Sequence, residues 1–297
     1  MRVFYVLVLC FSIISCTEEN STLKEEQDPV VESNDNHGIP LLPAEMTLFG
    51  ELVGIDNFDI KERLDKEVIV NTYYHSSTVQ ILKRANRHFP LIEKILKEEG
   101  MPDDMKYLCV IESALKQATS PTGAKGFWQF MPATAKEYGM MINREVDERL
   151  DVEISTRAAC QYMRTANKKF DNWINASASY NCGVGGLSSK VKAQGVSNFF
   201  ELHLNNETSR YVFRIMALKL LMENPEAYGF HPEKMELYEP FEVIYIEVEE
   251  SIGNLAIWAV DNGSNLHLLK VLNPWLVGNS LTLTGSRTYK IALPKIA

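Results

Sequence analysis

The hydrophobic positions of this chain follow a helical period over most of the stretch from residue 79 to residue 230. In one short segment Met105, Leu108 and Cys109 recur at spacings of three and four, which is the period of one face of an α-helix. Glu112 falls on the same apolar stripe. A carboxylate on a buried face loses its hydration unless it is paired or protonated. Glu112 is therefore the partner of a buried cation, a residue at the edge of the stripe, or a functional acid.

A loop rich in aromatic residues follows this helix, which we expect to end by Ser120. The loop contains Gly123 and Gly126 and then the run Phe127 to Phe130, with three aromatic rings in four residues. A solvent-exposed loop rarely carries so much apolar surface, so we expect this one to pack against the protein. An inward-facing acid beside a glycine-hinged aromatic loop is typical of one wall of a cleft.

Other stretches also have the spacing of amphipathic helices. Pro90 is expected to open a helix at its first turn, and Gly100 to end it. Residues 67–74 are rich in β-branched side chains and fit either a short strand or a helix continuing from Ile60. The remaining apolar stripes predict helices near 79–89, 154–170, 173–180 and 207–223.

The pattern changes after Tyr228. Residues 241–248 alternate as a strand, 254–262 and 266–272 have the length and spacing of two short helices, and 281–283 and 289–293 look like strands. We therefore predict a mainly α-helical protein with a small α+β domain over residues 236–297.

The N-terminus has the features of a secretory signal over residues 1–15. Arg2 is followed by an apolar run that ends at Ser15, too short for a membrane-spanning helix, which needs about 20 residues. The run ends in Ile13-Ile14-Ser15-Cys16, which resembles the bacterial lipobox, so Cys16 is expected to carry lipid. The alternative is an ordinary signal peptide with a chance cysteine. Residues 16–38 are acidic and predict a disordered tether, and residues 39–78 a separate N-terminal arm.

Composition narrows the classes of function. The net charge of −9 argues against nucleic acid as the main partner, because binding phosphates needs a basic face. The five cysteines form no CxxC pair and have no histidine spacing typical of zinc. We expect neither a metal nor a cofactor.

Three short motifs occur in order and carry a resemblance to a known family. They resemble those of the lytic transglycosylases of the soluble-lytic-transglycosylase type, over roughly residues 40–230. The motifs are Glu112-Ser113, Gly126-Phe127-Trp128-Gln129 and Ser179-Tyr180-Asn181.

This resemblance implies a lysozyme-like helical catalytic domain over residues 79–230 and a role in peptidoglycan turnover. In the family a single glutamate, matched here by Glu112, protonates the β-1,4 bond between N-acetylmuramic acid and N-acetylglucosamine. It then takes the proton of the 6-hydroxyl, which closes on C1 to give a 1,6-anhydromuramoyl end. The tail at 236–297 resembles a lysin motif, which binds glycan, with a structural accessory cap as the alternative.

The family also implies roles for single residues near the acid. Ser113 matches a residue that hydrogen-bonds the substrate, and Gln129 matches the cleft glutamine. Trp128 has two interpretations, since its flat face suits stacking on a sugar but it also suits the core. Tyr180 matches the tyrosine that orients the glutamate, and Asn181 follows it.

Tyr211 matches a tyrosine at the floor of the cleft. Together with the expected lipid on Cys16, these features predict a periplasm-facing lipoprotein, expected at the outer membrane, that binds peptidoglycan glycan strands and is anchored to the membrane through its lipid.

Two alternatives remain open. A hydrolytic muramidase would need a second carboxylate to activate water, for which Asp147, Glu148 and Asp151 are candidates, although their position before a helix favours a structural role. A non-catalytic peptidoglycan-binding lipoprotein is the other alternative. An intact set of Glu112, Gln129 and Tyr180 argues against it.

Overall fold

The computed structural model describes residues 42–285 and 287–295. The predicted signal peptide, Cys16 and the acidic tether lie outside the described residues. Within them, no helix is both long enough and apolar enough to cross a membrane.

The described chain opens with an antiparallel hairpin and continues almost entirely in helices. Strands β1 (Glu45–Leu48) and β2 (Glu51–Gly54) pair with Glu45 opposite Gly54. Eight helices follow: α1 Phe58–Tyr73, α2 His75–Glu98, α3 Lys106–Ser113, α4 Pro132–Glu137, α5 Val152–Phe170, α6 Trp173–Cys182, α7 Val184–Gln194 and α8 Asn206–Glu223.

Short polar side chains explain where several of these helices begin. Asn57, Asp151, Asn172 and Asn205 each accept hydrogen bonds from backbone N–H groups in the first turn of the helix that follows. These N–H groups have no partner inside the helix, and a capping side chain stabilises the helix by about 1 kcal/mol.

Two predicted boundaries are wrong. Helix α2 runs through Pro90 without a new start, because Ile81, Leu82, Ile92 and Ile95 on either side of it are all buried in the same core. A continuous helix buries both halves of this apolar stripe, and the free energy of that burial compensates for the backbone hydrogen bond that Pro90 cannot donate.

Helix α3 ends at Ser113 and not near Ser120, since Ala114 already has a left-handed backbone with φ of 52°. Residues 67–74, which fitted either a strand or a helix, lie largely within α1.

Most residues of helix α3 are buried in the helical part. The helix packs against α2 on one side and α8 on the other, while α1 packs along α8 and α5 packs against α2 and α6. Leu108, Cys109 and Leu115 are almost completely buried in the core formed there. The short helix that carries Glu112 is therefore fixed by packing rather than by its own length, as expected for a helix of only two turns.

The C-terminal part is a small α+β unit with its own core. Strand β3 (Val243–Val248) pairs antiparallel with β4 (Tyr289–Pro294), and helices α9 (Leu255–Asp261) and α10 (Leu266–Leu272) lie between them in sequence. The strand predicted at 281–283 is reduced to a single bridge between Ile252 and Leu281. The predicted fold class, mainly helical with a small C-terminal α+β domain, is confirmed.

A loop of the helical part completes the core of this C-terminal unit. Val146 is buried among its residues and forms a β-bridge with Leu276. The N–H of Asp147 donates to the carbonyl oxygen of Trp275 (2.9 Å), and the N–H of Val277 donates to that of Glu145 (2.9 Å). Because Met140 of the same loop is buried in the helical core, the loop before α5 is part of both cores.

Candidate active site

Glu112 lies in the last turn of α3, where the helix meets α8. Its side chain is half-buried, and its Oε1 accepts a hydrogen bond of 2.7 Å from the hydroxyl of Tyr211 on α8. Tyr211 is itself almost completely buried. The acid is therefore surrounded by protein and oriented by a fixed donor while part of its surface stays open to solvent.

Burial raises the pKa of Glu112 to about 7. The hydrogen bond from Tyr211 and the positive charge of Arg214 act in the opposite direction, and the negative charge of Glu207 adds to the increase. A carboxyl group with a pKa near neutrality is present in both protonation states at pH 7, so it can donate a proton and later accept one. This is the property that a single acid–base residue requires.

The backbone after Glu112 has an uncommon conformation. Ala114 and Leu115 are both left-handed, with φ of 52° and 56°. Such a conformation costs a non-glycine residue about 1–2 kcal/mol, and residues of this kind cluster at functional sites. Leu115 is anchored in the core, and the carbonyl oxygen of Ala114 accepts a 2.7 Å hydrogen bond from Nε of Arg84. The sharp turn directs the chain from the acid into the aromatic loop.

Gln129 holds that loop closed. Its Nε2 donates to the carbonyl oxygens of Gly126 (2.7 Å) and Ala118 (3.2 Å), and its own backbone is left-handed with φ of 48°. The amide nitrogen thus has two intramolecular partners. The predicted recognition of substrate by Gln129 remains a proposal, in which its amide oxygen would take part.

Arg149 supports the loop from the other side and was not identified from the sequence. The buried guanidinium donates to the carbonyl oxygens of Gly123 (2.8 Å) and Phe130 (3.1 Å), and pairs with Asp147 at 2.8 Å. Its backbone also lies directly against Gly126, where a Cβ atom would be 1.9 Å from the carbonyl oxygen of Arg149. Nothing in the spacing of residues 147–151 indicated a buried arginine.

Trp128 is a core residue, and the prediction that it stacks on a sugar is wrong. Its side chain is completely buried, and its Nε1 donates to the hydroxyl oxygen of Thr156 at 2.9 Å. A fully enclosed indole whose only polar group is already paired offers no face to a ligand. The alternative interpretation, that Trp128 fills the core, describes the structure.

Tyr180 does not orient Glu112 as predicted. Its hydroxyl donates to the backbone oxygen of Trp128 at 2.8 Å, and Tyr211 supplies the donor to the acid instead. The ring of Tyr180 packs edge-on against Phe130. Because the two tyrosines come from different helices that converge on the same region, their motifs alone did not show which hydroxyl reaches the carboxylate.

Ser113 and Asn181 are also engaged within the protein. The hydroxyl of Ser113 donates to the carbonyl oxygen of Cys109 (3.1 Å), so it turns back onto its own helix. Asn181 accepts a bond from the hydroxyl of Thr208 (2.9 Å) and donates to Glu207 (3.3 Å). Any contact of either residue with a substrate remains a proposal.

The three carboxylates proposed as a second catalytic group have structural partners. Asp147 pairs with Arg149 and, at 3.2 Å, with Lys125. Glu148 is buried and accepts bonds from the N–H of Met141, from Arg287 and from the hydroxyl of Tyr289.

Asp151, the third of them, caps helix α5, and burial raises its pKa to about 6. All three carboxylates hold the segment 141–151 in place, in agreement with the structural role that their position suggested.

Glu207 is the acidic side chain near Glu112 that sequence reasoning missed. It is exposed in the first turn of α8, four residues before Tyr211. The spacing in the sequence could have indicated this position, because residues four apart, such as Glu207 and Tyr211, lie on the same face of a helix. A small cavity of about 260 Å³ opens beside it, lined also by Arg210, Arg214 and Glu67.

Within residues 42–285 and 287–295, no group of three or more metal-ligating side chains could hold a metal ion.

Two protein-family models match separate parts of the chain. Residues 89–202 match the family described as transglycosylase SLT domain. Residues 244–297 match the soluble lytic transglycosylase C-terminal LysM-like domain.

The individual matches include one curated enzyme and two solved structures. Over 236 residues the chain is 31% identical to membrane-bound lytic murein transglycosylase D of Escherichia coli K12, covering 77% of this chain and 51% of that protein. The chain thus spans about half the length of this curated relative.

The two solved structures share little sequence with this chain. An inactive mutant of lytic transglycosylase Slt from Pseudomonas aeruginosa is 19% identical, with a TM-score of 0.37, over 52% of this chain and 27% of that one. The 70 kDa soluble lytic transglycosylase of Escherichia coli is 20% identical, with a TM-score of 0.38, over 50% and 26%.

Proposed function

We propose, from the premise that residues 89–202 form a transglycosylase SLT domain and residues 244–297 a LysM-like domain, that this protein is a lytic murein transglycosylase. Its substrate is the glycan strand of peptidoglycan, cut at the β-1,4 bond between N-acetylmuramic acid and N-acetylglucosamine. The observation that carries the proposal is Glu112, a half-buried acid with a pKa of about 7 and a fixed tyrosine donor.

The reaction uses one carboxyl group twice. Protonated Glu112 first gives its proton to the oxygen of the scissile bond, which breaks and leaves positive charge on C1 of the muramic acid. The resulting carboxylate, held by the hydroxyl of Tyr211, then takes the proton of the 6-hydroxyl of the same sugar. The oxygen of that hydroxyl bonds to C1, so no water enters and the acid is restored.

The position of the other carboxylates favours this reaction over hydrolysis. Water activation usually recruits a second carboxylate on the opposite face of the sugar. Asp147, Glu148 and Asp151 are occupied by structural partners. In the part of the chain that the structure describes, Glu207, which is exposed and acts on Glu112 through its charge, is the candidate that remains for a hydrolytic alternative. A non-catalytic binding protein would not need an acid whose pKa is raised to neutrality.

Mass analysis of digested peptidoglycan tests the proposal. We expect 1,6-anhydromuramoyl ends, which are lighter by one water than hydrolytic products, and nearly complete loss of turnover in Glu112→Gln with glycan binding retained. Reducing ends from the wild-type protein would instead indicate hydrolysis and direct attention to Glu207. Retention of activity in Glu112→Gln would refute the assignment of the acid.

The same proposal extends to the ends of the chain. Residues 1–15 act as a signal peptide, Cys16 carries the lipid of a periplasm-facing lipoprotein, expected at the outer membrane, and the LysM-like domain binds glycan strands. The lipobox-like sequence before Cys16 supports anchoring. Changing Cys16→Ala should move the protein from the membrane fraction to the soluble fraction. Wild-type protein that incorporates no labelled fatty acid would contradict it.

A further inference from the structure

Two arginines bind the backbone on either side of Glu112. From α8, Nη2 of Arg214 donates to the carbonyl oxygen of Ile111 at 3.0 Å. From α2, Nε of Arg84 donates to the carbonyl oxygen of Ala114 at 2.7 Å. The peptide that precedes the acid and the turn that follows it are thus each held by a charged donor from a different helix.

This segment needs external support. The last four carbonyl groups of a helix have no partner within the helix, and Ile111 lies in the last turn of α3. Beyond the helix, Ala114 and Leu115 are both left-handed, a conformation that persists only when the surroundings enforce it. Hydrogen bonds from ionised donors are stronger than those from neutral groups, so both arginines suit this purpose.

We propose that Arg84 and Arg214 are positioning residues that fix the backbone around Glu112 so that its carboxyl group meets the scissile bond. The inference rests on the proposed function, because it concerns how the acid of that reaction is held. Neither arginine needs to touch the substrate. A displacement of about 1 Å in a catalytic group can cost roughly 100-fold in rate.

The two arginines differ in one respect that an experiment can exploit. Among residues 42–285 and 287–295, the charged and titratable groups that act on Glu112 are Arg214, Tyr211 and Glu207 of α8, Tyr180 of α6 and Cys109 of its own helix. Arg214 therefore acts on Glu112 through charge as well as through the backbone. Arg84 is not among these groups, and its bond to the carbonyl oxygen of Ala114 leads us to expect that it acts on Glu112 through the backbone.

The test compares Arg84→Gln and Arg214→Gln with a matched control, Arg87→Gln, in the full-length protein. Arg87 lies one turn after Arg84 on α2 and also donates through Nε to a backbone oxygen, that of Glu239 at 2.8 Å, away from the acid. Cleavage of purified glycan strands gives kcat, KM and the pH dependence of kcat, and thermal unfolding reports folding.

We expect kcat to fall about 10- to 100-fold in both Arg84→Gln and Arg214→Gln with KM nearly unchanged, and Arg87→Gln to behave as wild type. The pH profile should move to higher pH in Arg214→Gln only, since the lost positive charge no longer favours the carboxylate. Arg84→Lys should recover part of the activity because it restores a charged donor.

Two results would overturn the inference while leaving the proposed function intact. One is wild-type kcat in both glutamine variants. The other is a loss of activity in Arg84→Gln that follows the loss of folded protein and is not relieved in Arg84→Lys. Failure of the wild-type protein to cleave any glycan strand would refute the proposed function instead.

Discussion

The hydroxyl of Tyr211 is the single group whose removal should report most directly on Glu112. It donates to the carboxylate at 2.7 Å and so lowers the pKa of the acid, against the larger effect of burial. In Tyr211→Phe we expect the pKa of Glu112 to rise above about 7, the pH profile of kcat to move to higher pH, and kcat to fall roughly 10- to 1,000-fold, as for other positioned donors.

Tyr180→Phe is the matched control for this change. It removes the same atom from a hydroxyl that donates to the backbone of Trp128 and not to the acid. A shift of the pH profile in Tyr180→Phe but not in Tyr211→Phe would show that the two roles are assigned the wrong way round.

Glu112 should also make the folded protein less stable as pH rises. Its pKa is about 7 in the folded state and near 4.5 when unfolded, so the folded state binds more protons between these values. Stability is therefore fully retained below about pH 4.5 and decreases up to about pH 7. We expect Glu112→Gln to be more stable than wild type by roughly 1–3 kcal/mol at pH 8 and equal to it near pH 4.

Denaturant unfolding at both pH values measures this difference. Equal stability of the two proteins at pH 8 would mean that the acid is better solvated than its surroundings indicate.

Spacing in the sequence was enough to locate Glu112, whose catalytic role remains a proposal. Glu112 was singled out because a carboxylate on an apolar stripe is anomalous, and the structure places it half-buried against Tyr211. Spacing could not show that Trp128 faces the core or that Tyr180 bonds a backbone oxygen, because the direction of a side chain depends on contacts between helices distant in sequence.

The aromatic loop depends on a close approach that only glycine allows. At Gly126 φ is 81°, and an added Cβ would lie 1.9 Å from the carbonyl oxygen of Arg149. At Gly123 φ is 90°, but an added Cβ would meet no atom within 4 Å. We expect Gly126→Ala to destabilise the protein by about 2–4 kcal/mol and to remove most activity, since the backbone of the loop or of Arg149 must move to make room for the methyl group.

Gly123→Ala should cost only about 1 kcal/mol, from its backbone conformation. Urea unfolding and cleavage assays on both variants separate the steric effect from the conformational one. Equal effects of the two substitutions would indicate that the loop readily shifts away from Arg149.

Helices were predicted well where their apolar stripe was long, and poorly at their ends. The stripe from residue 104 suggested a helix reaching Ser120, yet α3 ends at Ser113 because Leu115 must enter the core through a left-handed turn. Contacts between residues distant in sequence also explain why Arg149 was not predicted, since its partners Gly123 and Phe130 come close only in the folded loop. Local periodicity has no access to either contact.

In the whole molecule, the LysM-like unit is joined to the active-site scaffold by more than a linker. Val146 of the loop before α5 is buried in the core of this unit. Arg287 and Tyr289 of the unit donate hydrogen bonds to the buried Glu148, and Ser280 donates to Glu145. The sequence predicted a separate glycan-binding domain or a structural cap. The contacts favour a unit that supports the loop before α5, while its binding of glycan remains part of the proposed function.

Truncation after Met235 should therefore impair catalysis as well as any binding to glycan. It would expose Val146 and leave the buried carboxylate of Glu148 without Arg287 and Tyr289, and an unpaired buried charge costs about 3–5 kcal/mol. Because Asp147 and Arg149 in the same segment hold the aromatic loop, the disturbance should reach the site around Glu112.

Unfolding midpoints, sedimentation with insoluble peptidoglycan and cleavage rates of the truncated protein test this expectation. Glu148→Gln in the full-length chain serves as the control, since it retains the C-terminal unit while removing the charge that Arg287 neutralises and one of the two acceptor oxygens. We expect it to lose less stability than the truncated protein and to retain binding to peptidoglycan. A truncated protein with the stability and turnover of the wild type would show that the C-terminal unit is an independent attachment, and that the loop from Glu145 to Arg149 holds its conformation without it.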